Sequence, residues 1–127
     1  MVSVDDINFE AKKLQEDVWE NMDLYETNYS KAIEVLKDAL RKDPNNTTTL
    51  TNLGAALCDY GRHKIAMPYL EKAISLGSTD RHTYFNMGVA CINCEEYRDK
   101  SLQYFDKAEE FTSGEKTWEA YFDPHGH

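Results

Sequence analysis

Cys91 and Cys94 are separated by two residues, the spacing used by metal knuckles and redox dithiols. Either use needs a second ligand pair or a strand-turn-helix setting, and the chain offers neither. On a helix the second thiol lies one turn beyond the first, as in a pair of core cysteines. The four histidines are His63, His82, His125 and His127. The last two form a Pro-His-Gly-His stretch that could catch a divalent cation, but a frayed tail is the favoured reading. The acidic pairs Asp5-Asp6, Glu95-Glu96 and Glu109-Glu110 are adjacent in sequence, so on a helix they diverge by about 100° and cannot converge on one substrate. A Gly-rich phosphate loop, a His-Glu-x-x-His motif and a nucleophile elbow are all missing from the sequence. No catalytic residue, metal site or cofactor is assigned, and the chain is not read as an enzyme.

The elements that carry these residues must come from 127 residues and 14.7 kDa, enough for a single domain, 1–127, with its own core. The balance of 23 acidic to 14 basic side chains, a formal charge of −9, repels phosphate backbones and anionic headgroups. Nucleic acid and membranes are therefore not expected partners. No stretch approaches the ~20 consecutive apolar residues of a membrane span, and the first ten residues lack the basic and apolar blocks of a secretory leader. Three cysteines cannot all pair within the chain, so reduced thiols and a cytoplasmic location are expected.

Shifting the sequence against itself by 34 residues aligns Leu50, Leu53-Gly54 and Leu57 with Tyr84, Met87-Gly88 and Cys91. Both sets recur at offsets 0, 3, 4 and 7, one apolar stripe of a helix, and Asn52 and Asn86 precede the middle pair each time. Offsets 0, 4 and 7 link Ala66, Leu70 and Ala73, and again Ala32, Leu36 and Ala39, and Ser101, Phe105 and Ala108. Such twin patterns imply antiparallel helix pairs whose close approach needs small residues. Gly54 and Gly88 are expected to face Ala66 and Ser101. The Asn45-Asn46-Thr47 stretch would cap the first helix of the middle pair, Gly61 would end it, and Pro44 would close the helix before. Residues 5–26 read as one long first helix, and Thr112-Ser113-Gly114-Glu115 as the cap of a last helix bearing Trp118, Tyr121 and Phe122.

These residues resemble the tetratricopeptide repeat, whose 34-residue unit runs large residue, Leu-Gly, Tyr, Ala, Phe, Ala, Pro. The middle unit, 47–80, supplies Leu50, Leu53-Gly54, Leu57, Ala66, Leu70 and Ala73, with Ser78 in place of the closing Pro. The third, 81–115, supplies Tyr84, Met87-Gly88, Cys91, Ser101, Phe105 and Ala108, with one residue inserted near Glu95-Glu96-Tyr97. The first, about 5–46, matches through Ala32, Leu36, Ala39 and Pro44 but has Trp19-Glu20 where Leu-Gly belongs. The resemblance implies an all-α fold, a right-handed α-solenoid of three such helix pairs, with a C-terminal capping helix at about 115–122.

It also implies a concave face lined by residues just off the core stripe. In this chain they are Thr48, Thr51, Asn52, Ala55, Cys58 and Asp59 from the middle unit, and His82, Phe85, Asn86, Val89, Ile92 and Asn93 from the third. The asparagines could hydrogen-bond the main chain of an extended guest, while Phe85, Val89 and Ile92 could take its apolar side chains or pack on a neighbouring helix. Relatives that clamp a C-terminal carboxylate use Lys, Asn, Asn, Lys and Arg. The matching positions here are Asp17, Asn21, Asn52, His82 and Asn86, which lack the cations, so that use is disfavoured. The middle unit is neutral and both ends are acidic, which would steer a basic partner. The expected function is binding of a peptide or protein segment on the concave face. The alternatives are a dedicated inhibitor of the immunity type or a secretion-type chaperone for one partner, and an enzyme or metal protein.

Overall fold

The computed structural model describes residues 2–121. Six helices make up the described chain: α1 Val4–Glu20, α2 Tyr25–Lys42, α3 Thr47–Asp59, α4 His63–Ser75, α5 Arg81–Ile92 and α6 Ser101–Ala108. Each packs on its neighbours in sequence, and α3 also touches α1 on one side and α5 on the other. α1, α3 and α5 thus form one wall, with α3 in the middle and buried from Thr49 to Cys58.

Local signals set the helix limits. Ser3 accepts from Asp6 N at 3.0 Å while its own N–H donates to the Asp6 carboxylate at 3.2 Å, a reciprocal cap for α1. Asn46 caps α3 by accepting from Thr49 N at 2.9 Å. α3 stops at Gly61, whose φ of 80° lets Arg62 N reach back to Leu57 O at 2.7 Å; Gly77, at φ 88°, closes α4 in the same way.

The expected single helix over 5–26 is broken. Asn21 is extended and its side chain accepts from Asp23 N, so the chain makes a short 3-10 turn, Met22–Leu24, before α2. Trp19-Glu20 therefore ends α1, and α1 and α2 form the first pair. The extra residue of the third unit falls in a second 3-10 segment, Glu95–Lys100, between α5 and α6.

The core stripe is Leu36, Leu50, Leu53, Leu70 and Met87, all nearly inaccessible. Burying each is worth ~1.5–3 kcal/mol relative to exposure. Both stripe glycines lie at close crossings, against other residues than expected. A Cβ on Gly54 would lie 2.4 Å from Leu70 Cγ, and one on Gly88 would lie 2.6 Å from Phe105 Cε1. The larger residue four positions along, rather than Ala66 or Ser101, fills each notch.

After α6 the chain crosses to the start of α5, where Arg81 N donates to Thr112 O at 2.9 Å. The terminal helix expected over 115–122 is absent from the described residues: 115–121 are not helical. They run instead along the wall of α1, α3 and α5, and Trp118 and Ala120 join the hydrophobic core. Phe122, His125 and His127 lie outside the described residues.

Candidate functional site

Residues 114–121 lie in the groove as a drawn-out strap, and side chains of the helices hold its main chain. Lys12 Nζ donates to Glu115 O at 2.6 Å, Asn52 Nδ2 to Lys116 O at 2.9 Å and Asn86 Nδ2 to Trp118 O at 3.1 Å. In the opposite sense, Gly114 N donates to Asp80 Oδ1 at 2.9 Å, Ala120 N to Asn86 Oδ1 at 2.7 Å and Tyr121 N to Asp59 Oδ1 at 2.7 Å. Asn86 takes the carbonyl before Glu119 and the N–H after it, as a peptide group of a neighbouring parallel strand would. Its amide is fully buried, where an unpaired polar atom costs ~1–3 kcal/mol.

Three strap side chains turn inward. Thr117 Oγ1 donates to Asp80 Oδ2 at 2.6 Å, and His82 Nδ1 lies 2.8 Å from Thr117 Oγ1. The carboxylate can only accept, so the hydroxyl proton is spent on Asp80 and His82 must donate through Nδ1. Desolvation holds the His82 pKa below its ordinary value, in keeping with a neutral ring. The Trp118 ring is buried and its Nε1 donates to Asp59 Oδ2 at 3.0 Å. Ala120 is buried too, whereas Glu115, Lys116, Glu119 and Tyr121 face outward.

Asp59, at the end of α3, gathers three donors: Trp118 Nε1, Tyr121 N and the Tyr29 hydroxyl, the last at 3.0 Å. Desolvation outweighs these bonds and raises its pKa to about 6. Past Tyr121 the groove continues into a cavity of about 330 Å³ lined by Val18, Trp19, Met22, Tyr25, Tyr29 and Asp59. The exposed Trp19 ring tilts against Tyr121 there at 5.6 Å.

Of the twelve residues expected on the concave face, Asn52, Asp59, His82 and Asn86 touch the strap. Thr48 is half-buried at the start of α3, and Ala55 and Val89 are fully buried. Thr51 is committed to helix packing, its hydroxyl 2.6 Å from that of Thr83. Phe85 is half-buried and packs on Phe105 of α6, centroids 5.1 Å apart, as the helix-packing alternative expected. Cys58 is buried with only a long contact, 3.9 Å, to Asn86 O, and burial raises its thiol pKa well above the ordinary value. Asn93 bonds back to Val89 O at 2.9 Å but borders a small cavity with Asp59 and Tyr121, and Ile92 is half-buried. Of the clamp positions, Asp17 pairs with Lys13 on the surface and Asn21 ends α1. Among the described residues no three of His, Cys, Asp and Glu are placed to hold a metal ion.

The sequence reading missed Lys12, Asp80 and the strap itself. Asp80 had a local signal, since it precedes α5 and caps it by accepting from His82 N at 2.9 Å. Lys12 had none.

No model of a known protein family matches the chain. A curated protein, the peroxisomal targeting signal receptor of Candida albicans, is 32% identical to it over 71 residues. The match takes in 56% of this chain and 12% of the receptor, so the chain spans only a small part of that protein's length. Among the described residues no helix is long and apolar enough to cross a membrane. The partial likeness is to a receptor, and an all-helical fold with a lined groove is consistent with a protein-binding module.

Proposed function

We propose that the chain is a non-enzymatic binding module, a solenoid of three tetratricopeptide-like helix pairs, that accepts an extended protein segment in the groove of α1, α3 and α5. One observation carries this reading: five side chains, Lys12, Asn52, Asp59, Asp80 and Asn86, hold six main-chain groups of a non-helical segment. Contacts to main chain transfer to any segment of the same conformation, which is how extended guests are commonly held. A strap serving only as a plug could bury Trp118 and Ala120 without these six main-chain bonds. The partial likeness to a targeting-signal receptor supports the same class of function.

Lys12, Lys116 and the acidic rim leave the groove entrance mixed in charge, so recognition rests on its neutral centre and charge governs the approach. The test is a titration of the full chain carrying Trp118→Ala, which weakens the strap, with a fluorescein-labelled peptide of residues 113–121. A saturable rise in anisotropy, abolished by adding Asn86→Ala, is expected. No binding at millimolar protein would remove the groove as a binding site.

A further inference from the structure

Resting on that reading of the groove, we propose that residues 114–121 are a tethered stand-in for the guest. The guest is then an extended protein segment in which a hydroxyl residue and Trp are followed, one residue on, by a small residue.

The pattern comes from what the groove does with each strap side chain. Thr117 fits between Asp80 Oδ2 at 2.6 Å and His82 Nδ1 at 2.8 Å, a site that needs a hydroxyl able to donate and accept at once. The Trp118 ring is 4% exposed, and its N–H donates to Asp59 Oδ2 at 3.0 Å, a bond that Phe could not make. Glu119 faces outward and is unread. Ala120 is 2% exposed with its amide fixed on Asn86, which leaves no room for a branched side chain. Of the other outward-facing residues, Lys116 reaches Asp5 on the exposed rim at 3.0 Å and Tyr121 rests on Trp19, so they add only peripheral contacts. Tyr121 borders the cavity lined by Trp19 and Met22, which an apolar side chain at that position of a guest would reach.

Tethering makes the strap a competitor. A segment joined by a short linker acts at an effective concentration on the order of millimolar, so a guest of equal intrinsic affinity meets an occupied site. The linker is short: α6 ends at Ala108 and the first strap contact is Gly114. A productive guest must therefore outbid the strap through the three inward positions or by reaching the adjoining cavity.

The experiment compares the wild-type chain with the Trp118→Ala chain, both full length, using the labelled peptide of residues 113–121 as probe. The variant is expected to bind at least tenfold more tightly than the wild type. Replacing Trp or the small residue of the probe, by Ala and Leu respectively, is expected to weaken binding to the variant tenfold or more, while Glu to Lys at the intervening position leaves it unchanged. Equal affinity of wild type and variant would overturn the strap as competitor while leaving the groove a binding site. Indifference to the Trp and Leu changes would overturn the guest pattern, and no binding to either chain would overturn the groove reading itself. Concentration-dependent dimerisation of the wild type would make a second copy the occupant and overturn the proposal. Should Trp118→Ala lose its helical circular dichroism, wild-type chain labelled with 5-fluorotryptophan answers the same question. Its two Trp give two fluorine resonances, and that of Trp118 must move on adding unlabelled peptide. A resonance unmoved by millimolar peptide would overturn exchange.

Discussion

Asn52 and Asn86 occupy the same place in successive helix pairs, and they hold carbonyls two residues apart on the strap, Lys116 O at 2.9 Å and Trp118 O at 3.1 Å. Their oxygens differ. Asn86 Oδ1 accepts from Ala120 N, whereas Asn52 Oδ1 is buried and has no partner among the described residues. Asn52 Nδ2 instead serves Asn8 Oδ1 as well, at 2.9 Å, which fixes the orientation of its amide.

This difference predicts unequal costs. Asn86→Ala strands a buried carbonyl and a buried N–H and should lower stability by ~2 kcal/mol or more. Asn52→Ala strands Asn8 Oδ1 and Lys116 O but also removes an unpaired buried oxygen, and should cost less, ~1 kcal/mol. Urea denaturation of the two variants checks the order, and equal losses would contradict the pairing described.

The notch at Gly54 is filled by Leu70, so Gly54→Ala should destabilise by ~1–3 kcal/mol through overpacking, less the ~1 kcal/mol that Ala gains in helix propensity. The double variant with Leu70→Val should recover part of the loss. If the single change raises the melting temperature, the crossing is looser than 2.4 Å implies.

Asp59 gives the protein a pH dependence of definite sign. Its pKa of about 6 exceeds the ordinary 3.8, so the folded chain holds a proton that the unfolded chain has lost between those values. The stabilisation linked to this proton is complete below pH 4 and is lost as pH rises through 6. From pH 7 to pH 5 the gain should be about 1 kcal/mol, approaching ~3 kcal/mol only in stronger acid. Asp59→Asn should remove this component, whatever its baseline stability. An unaltered difference between pH 7 and pH 5 in that variant would place the titrating group elsewhere.

Trp118→Phe keeps an aromatic ring in the cleft but deletes the N–H that meets Asp59. A hydrogen bond to a charged group is worth ~1.5–3 kcal/mol, so the amides of Ala120 and Tyr121 should exchange about tenfold faster or more. Amides in the middle of α3 should exchange as before. Uniform acceleration would mean that strap and helices open together.

The helix pairs were legible because their stripes repeat locally: Leu50, Leu53 and Leu57 lie within two turns of one another and are all buried. The strap was not. Trp118, Tyr121 and Phe122 have helical spacing, but so short a segment gains little from helix formation alone. Its partners are Lys12, Asn52, Asp59, Asp80 and Asn86, up to 103 residues away in sequence, and no local pattern records such contacts. Phe85 was ambiguous for a related reason, since a residue at the border of a stripe can face a groove or the next helix, and its half-buried ring touches Phe105.

The order of synthesis gives the strap a further consequence. Translation at ~5–20 residues per second delivers all six helices before residues 114–121 emerge. A nascent chain therefore passes through a stage in which every wall of the groove exists and the cleft for Trp118 is empty. During that interval a guest competes with no tethered rival, so complexes formed on the ribosome would be favoured kinetically over those formed by exchange.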